Sequence, residues 1–193
     1  MIDEHSTPED VCFEISSALD RHSITGVITG GSAATVYAPD AYTSYDVDFV
    51  LTSYPERKRQ ERALAEIRYF PSVMVGMYEH SRTAYTLDFP SGPLAVGGDY
   101  IQETTTLEKG DLHLRILTAT DCVRDRLAGF YHWDDYTSLN AAVGVASAHR
   151  DRIDFDRLQE WTERESGPPP TDYEIKYTEF LRRLEEPNTN GSG

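Results

Sequence analysis

A chain of 193 residues, 39% hydrophobic and 26% charged, has room for one hydrophobic core with at most a small helical appendage. Its formal net charge is −15, from 33 acidic residues against 15 arginines and three lysines (Lys58, Lys109, Lys176). That balance disfavours a polyanionic partner, because nucleic-acid affinity comes from basic side chains neutralising phosphates, and it suits a salt-rich cytoplasm in which net charge keeps a protein dissolved.

Cys12 and Cys122 form no CxxC pair, which argues against a disulfide framework or a structural zinc site. No stretch approaches the roughly 18 apolar residues of a membrane span, and the acidic opening at 1–10 lacks the apolar run of a secretion signal. The expectation is a soluble, cytoplasmic protein with no membrane partner.

Thr7-Pro8-Glu9-Asp10 reads as a helix start, with Thr7 as N-cap and Pro8 in the first position, and Val11, Ile15 and Leu19 follow at helical spacing. The apolar, β-branched run at 24–29 predicts a buried strand that stops at a Gly30-Gly31 turn. Alanine-rich 32–37 predicts a short helix, and 38–45, with Pro39, Asp40 and Ser44, a loop. Residues 46–51, Asp-Val-Asp-Phe-Val-Leu, form a second strand. A charged helix at 55–68 follows, with Ala63, Leu64 and Ile67 on its inner face and Arg57, Arg59 and Arg62 in solvent.

Two strands are expected at 73–78 and 83–89, joined through 79–82, and then a hairpin from 104–107 and 112–117 about Lys109-Gly110. Beyond Thr120 the pattern turns helical, at 121–131, 135–148, 155–165 and 172–186. A stiff Gly167-Pro168-Pro169-Pro170 break precedes the last helix, which a capping box, Thr171-x-x-Glu174, opens. The fold class is α+β: a mixed sheet flanked by helices over 1–118, a helical portion packed on it over 119–187, and a short polar tail at 188–193.

The chemistry centres on Asp46 and Asp48. Alternate residues of a strand share a face, so the two carboxylates project the same way with Cα atoms roughly 6.6 Å apart. Two crowded carboxylates push one another toward protonation unless a cation neutralises them. Their oxygens suit Mg²⁺ or Mn²⁺, and Mg²⁺ is usually held by one or two carboxylates together with substrate phosphates. A nucleoside triphosphate is therefore the implied ligand. Gly30-Gly31-Ser32, at a strand end and a helix head, offers backbone N–H groups, the helix dipole and a hydroxyl to phosphate. Asp88, at the end of the 83–89 strand, reads either as a third carboxylate of the same site or as a turn cap before Pro90-Ser91-Gly92-Pro93.

Gly30-Gly31-Ser32, a spacer of 13 residues and Asp46-Val47-Asp48-Phe49 together resemble the signature of the nucleotidyltransferase superfamily, and Asp88 fits its third acidic position. Within it the chain looks most like small prokaryotic proteins related to toxin-antitoxin and antibiotic-modifying nucleotidyltransferases. The resemblance implies a polymerase-beta-like fold and two-metal transfer of a nucleoside monophosphate to a hydroxyl of RNA, protein or a small molecule. Asp46, Asp48 and Asp88 would bind Mg²⁺ or Mn²⁺, with Asp88 also activating the acceptor, and Gly30, Gly31 and Ser32 would hold the triphosphate. A cognate toxin or antitoxin protein is implied as a partner. Asp121-Cys-Val-Arg-Asp-Arg126 is similar to the helix that carries a phosphate-contacting basic residue in such proteins, with Arg126 where lysine is commoner. Ala41-Tyr42-Thr43-Ser44 departs from the related toxins, which often carry a basic residue shortly before the acidic pair.

The aromatic run 130–135 reads as core packing with a satisfied histidine more readily than as a stacking site. His22, His80, His113 and His149 show no metal-ligand spacing. Two functions stand at this point: an enzyme, or a nucleotidyltransferase-like module that binds a nucleotide or a partner protein without turnover.

Overall fold

The computed structural model describes residues 2–53, 55–169 and 171–186. Helix α1, Pro8–Arg21, starts as its sequence dictates: Thr7 Oγ1 accepts the Asp10 N–H, and the Asp10 carboxylate accepts the Thr7 N–H. Val11, Ile15 and Leu19 are wholly buried along one stripe. Strand β1, Gly26–Ile28, is shorter than the apolar run that announced it, and it leads through Thr29 into α2, Gly30–Tyr37. The two glycines are therefore the first turn of the helix and not a separate turn ahead of it.

Strand β2, Asp46–Leu51, has the predicted bounds and runs antiparallel to β1, pairing Ile28 with Phe49 and Gly26 with Leu51. Helix α3, Arg57–Glu66, buries Ala63 and Leu64, with Ile67 just beyond its end, and leaves Arg57, Arg59 and Arg62 in solvent. After it come β3 (Tyr69–Pro71), β4 (Met77–His80) and β5 (Thr86–Asp88). The expected strand at 73–78 is thus mostly a turn. Val73 and Val75 stand fully in water, Ser72 N–H donates to Met77 O, and Gly76 takes a left-handed φ of +91°. β-Branched composition misleads here because the pairing of Tyr69 with His80 puts the reversal at 72–76.

A small hairpin, β6 (Ala95–Val96) and β7 (Asp99–Tyr100), turns at Gly97-Gly98 and was not evident in the sequence. Strands β8 (Thr104–Lys109) and β9 (Leu112–Leu117) form the predicted hairpin about Gly110-Asp111, with β8 extending two residues further than the pattern indicated. The main sheet has the order β3-β4-β5-β2-β1-β9-β8, with β2–β5 and β1–β9 parallel and every other neighbour antiparallel. It is a mixed sheet, as expected.

Four helices complete the fold: α4 (Ala119–Trp133), α5 (Tyr136–Ala148), α6 (Phe155–Glu165) and α7 (Tyr173–Glu185). Helix α1 packs on β1 and β9 and against α3, while α2 packs on β2 and against α4 and α5. The capping box expected at Thr171 and Glu174 does not form. Asp172 occupies the cap position, and the Thr171 hydroxyl donates to Pro168 O at 2.8 Å instead, closing the turn that follows Gly167. Pro170 and the tail 187–193 lie outside the described residues. In the aromatic run only Phe130 and Tyr131 are core, with Tyr131 stacked on Trp161 and Tyr173; His132 is exposed although its Nδ1 pairs with the Tyr173 hydroxyl, and Trp133 is 76% exposed, because helix α4 ends there and turns these side chains to solvent. Among the described residues no helix is long and apolar enough to cross a membrane, and Cys12 and Cys122 are buried free thiols.

One buried ion network anchors the helical portion. Arg124 and Asp121, both with side chains 1% exposed, bond at 2.8 Å; Arg124 also reaches Asp99 of β7 at 2.7 Å, and Arg157 of α6 reaches Asp121 at 2.9 Å. Removing one member strands the others in low dielectric, whereas an exposed partner contributes little. We expect Asp121→Ala to lower the unfolding free energy by about 3–5 kcal/mol, and Arg164→Ala, at the exposed rim of the same cluster, by under about 1 kcal/mol. Urea denaturation of the two variants checks the contrast.

Candidate functional site

The parallel pairing of β2 with β5 sets the site. Asp46 lies opposite Thr86, Val47 opposite Leu87 and Asp48 opposite Asp88. Paired residues of neighbouring strands share a face, so Asp46, Asp48 and Asp88 emerge on one side of the sheet, while Val47 and Leu87 enter the core. Asp88 thus falls beside the predicted pair. It also caps its own strand end, since Oδ1 accepts the Phe89 N–H at 2.7 Å. The Thr86 hydroxyl donates to Asp46 Oδ1 at 2.5 Å and orients that carboxylate.

The first turn of α2 closes the other wall. Gly30 has a φ of +65°, and a Cβ built on it would come within 2.7 Å of Asp48 Oδ2 and 3.7 Å of Arg126 Nη2. Glycine is required on both counts. Ser32 is 2% exposed; its hydroxyl donates to Thr29 O at 2.9 Å and accepts the Asp48 N–H at 3.1 Å. With its proton engaged in this way, Ser32 acts here by fixing the backbone of Asp48 against α2. Thr35 does the same for the approach to β2: its hydroxyl donates to Gly31 O and accepts the Ser44 N–H.

Arg126 comes from α4, and its guanidinium donates to Asp125 Oδ2 through Nε (3.1 Å) and Nη2 (2.7 Å). Although burial opposes its charge, Asp125 holds the guanidinium pKa above its ordinary value. Arg126 therefore reaches the site as a fixed cation. The Asp48 carboxyl is pushed up to about 6, first by burial and then by the Asp88 carboxylate, with Arg126 opposing the shift and Asp46 and Asp125 adding to it. Four carboxylates around one arginine leave a strongly negative cluster.

Among the described residues, no three carboxylate, imidazole or thiolate side chains already converge into a coordination cage. The backbone aligns the three aspartates on one face; their carboxylates are not gathered about one point. Every residue assigned to the site by sequence is nevertheless brought to the seam between α2, β2, β5 and α4. The sequence reading missed Tyr42, whose hydroxyl lies 2.9 Å from where a Gly31 Cβ would stand, together with Ser44, Thr86 and Asp125.

The fold is nucleotidyltransferase-like, as a solved structure shows. The chain superposes on the crystal structure of an antigenic nucleotidyltransferase-like protein from Paracoccidioides brasiliensis with a TM-score of 0.58 and 13% identity, over 94% of this chain and 90% of that one. The solution structure of antibiotic-resistance factor ANT(2″)-Ia aligns at a TM-score of 0.47 and 13% identity, over 88% of this chain and 92% of that one. No protein-family model and no curated protein matches the sequence. At 13% identity the first likeness is one of fold.

Two substitutions probe this geometry. Gly30→Ala forces a side chain into a left-handed conformation against Asp48 and is expected to cost about 1–3 kcal/mol of stability in urea melts. Asp48 carries the electrostatic strain. Its folded carboxyl holds a proton more tightly than the unfolded one, so its contribution favours the fold at low pH and is lost as pH rises through about 6. Asp48→Asn should therefore stabilise the metal-free protein at pH 7.5 by about 1–2 kcal/mol, allowing for partial solvent access, and have little effect at pH 4. Equal effects at both pH values would show that the charge is not the cause.

Proposed function

We propose that this protein is a metal-dependent nucleotidyltransferase that moves a nucleoside monophosphate from a nucleoside triphosphate to a hydroxyl acceptor. The observation that carries the reading is the register of Asp48 with Asp88, which sets three carboxylates on one face beside a glycine-led helix start. The fit of a hard divalent cation rests on donor chemistry: the face offers carboxylate oxygens from three aspartates, and the Asp48 pKa, raised first by burial and then by the neighbouring Asp88, marks a carboxylate whose charge such a cation would favour. A complete protein cage is not required, because Mg²⁺ normally keeps waters and substrate phosphates in its shell.

In this reading Asp46, Asp48 and Asp88 hold Mg²⁺ or Mn²⁺, which when bound neutralises the phosphates and lowers the pKa of a coordinated hydroxyl. The first turn of α2 presents N–H groups that have no intrahelical partner, together with the positive end of its dipole, to the triphosphate. Ser32 keeps Asp48 in register with that turn. Arg126 supplies a permanent positive charge and, never losing its proton, stabilises phosphate without taking part in proton transfer. Asp88, at the strand end, is the base nearest an incoming hydroxyl.

Two features favour a second reading, a module that binds a nucleotide or a cognate toxin or antitoxin protein without turnover: Tyr42 already covers Gly31, and Arg126 is already paired with Asp125. Calorimetric titration of ATP, GTP, CTP and UTP with Mg²⁺ into the wild type and Asp46→Ala/Asp48→Ala separates the outcomes. Metal-dependent binding of at least one nucleotide, weakened tenfold or more in the double variant, is expected. Binding that ignores both metal and mutation supports the module, and no binding of any nucleotide ends the enzyme reading.

A further inference from the structure

The end of β5 opens onto a cleft of about 480 Å³ between the start of α3 and the 71–78 segment, a size within the range of ligand pockets. It adjoins the site: Gly76 lies against Asp88, with 3.6 Å between Asp88 Oδ1 and the place a Cβ would occupy. Met77 is the antiparallel partner of Asp88, and Phe89 follows it in the chain. All three residues line the cleft.

Its chemistry differs from that of the rest of the molecule. In a chain of net charge −15, no described residue lining this cleft is acidic, and the single ionic side chain, Arg57, is tied to Glu61 at 2.8 Å. Met74 and Met77, the chain's two methionines beyond Met1, both lie here. Unbranched thioether side chains adapt to irregular apolar partners. Among its lining residues Val73 and Val75 are 100% and 105% exposed, and Phe70 beside it is 54% exposed. Side chains so open to water carry the apolar surface past the mouth of the cleft, over more area than a small molecule seated in it covers. The edge strand β3 ends in Pro71, which lacks an N–H, so a partner meets side chains here and does not extend the sheet.

We infer that the acceptor is a protein: an apolar, uncharged or basic segment docks on Val73, Met74 and Val75 and delivers a serine, threonine or tyrosine hydroxyl through the cleft to Asp88. This rests on the transferase reading above. The acceptor oxygen bonds to the α-phosphorus, the bond between that phosphorus and the α,β-bridging oxygen breaks, pyrophosphate leaves with the electron pair, and the hydroxyl proton passes to Asp88.

The test uses the full chain and a Val73→Ser/Met74→Ser/Val75→Ser variant, whose changes fall on exposed side chains outside the catalytic set. The probes are fluorescent nonapeptides with a central serine, threonine or tyrosine, flanked either by leucine and valine with terminal lysines or by glutamates. An alanine-centred control is included. Anisotropy reads docking, and label from α-³²P nucleoside triphosphates with Mg²⁺ reads transfer. We expect apolar-flanked peptides to bind and those with a hydroxyl to be labelled, with binding and labelling both falling at least tenfold in the triple variant while nucleotide affinity stays within twofold. Equal binding of glutamate-flanked peptides, unchanged binding by the triple variant, or docking without label in a nucleotide-binding protein overturns the inference. So does a concentration-dependent dimer that the triple variant abolishes, which would assign the patch to a second copy. Failure to bind any nucleotide removes the transferase reading, and the acceptor role falls with it. Peptide docking lost in the triple variant would then locate a protein-binding surface only, so the two failures are told apart.

Discussion

The parallel pairing of β2 with β5 places like charges where electrostatics alone would not. Asp48 opposite Asp88, with Asp46 two residues away on the same face, concentrates negative charge at the end of a sheet whose other face is core. The arrangement persists because Val47, Phe49 and Leu87 are anchored in that core, and a one-residue slip would exchange them with the aspartates. Apolar burial enforces the register, and the register imposes the charge cluster. Burial first, and then the neighbouring Asp88 carboxylate, raise the Asp48 pKa in consequence.

The remainder of the site is built to hold this strand pair against a helix. Ser32, Thr35 and the Gly30 backbone clamp β2 to the first turn of α2 through short hydrogen bonds and a contact that only glycine allows. Helix α4 then brings Arg126 across from the helical portion, and the Tyr37 hydroxyl donates to Leu117 O, tying α2 to the end of β9 just before α4 begins. Positioning and charge are thus divided: the sheet supplies carboxylates, α2 supplies backbone N–H groups, and a distant segment supplies the cation. Such pre-organisation is what the proposed nucleotidyl transfer would demand of the site.

The acidic composition and the apolar cleft become related when seen from the site. A net charge of −15 disfavours polyanions, and under the proposed function apolar contact would be the means of retaining an acceptor. The 72–76 turn sets an exposed apolar surface at the strand end that carries Asp88, and Gly76 lets the turn approach the carboxylate closely. Residues that look like a strand by composition serve instead as an exposed prong.

Local chemistry alone determined a good part of this protein. The Thr7 cap, the Asp46–Leu51 strand, the 104–117 hairpin and four C-terminal helices follow from periodicity and capping, which act over a few residues, and the glycine-serine and aspartate motifs pointed to a nucleotidyltransferase-like fold. The fate of Val73 and Val75, the Gly97-Gly98 hairpin and the failed cap at Thr171 were decided by pairings and turns that a short window cannot weigh. Only the tertiary structure showed that Asp88 stands level with Asp48, that Ser32 spends its hydroxyl on the backbone, and that Tyr42 and Asp125 join the site. Each of these depends on contacts between residues far apart in the chain, and side-chain spacing along a single strand or helix carries no record of which neighbour it will meet.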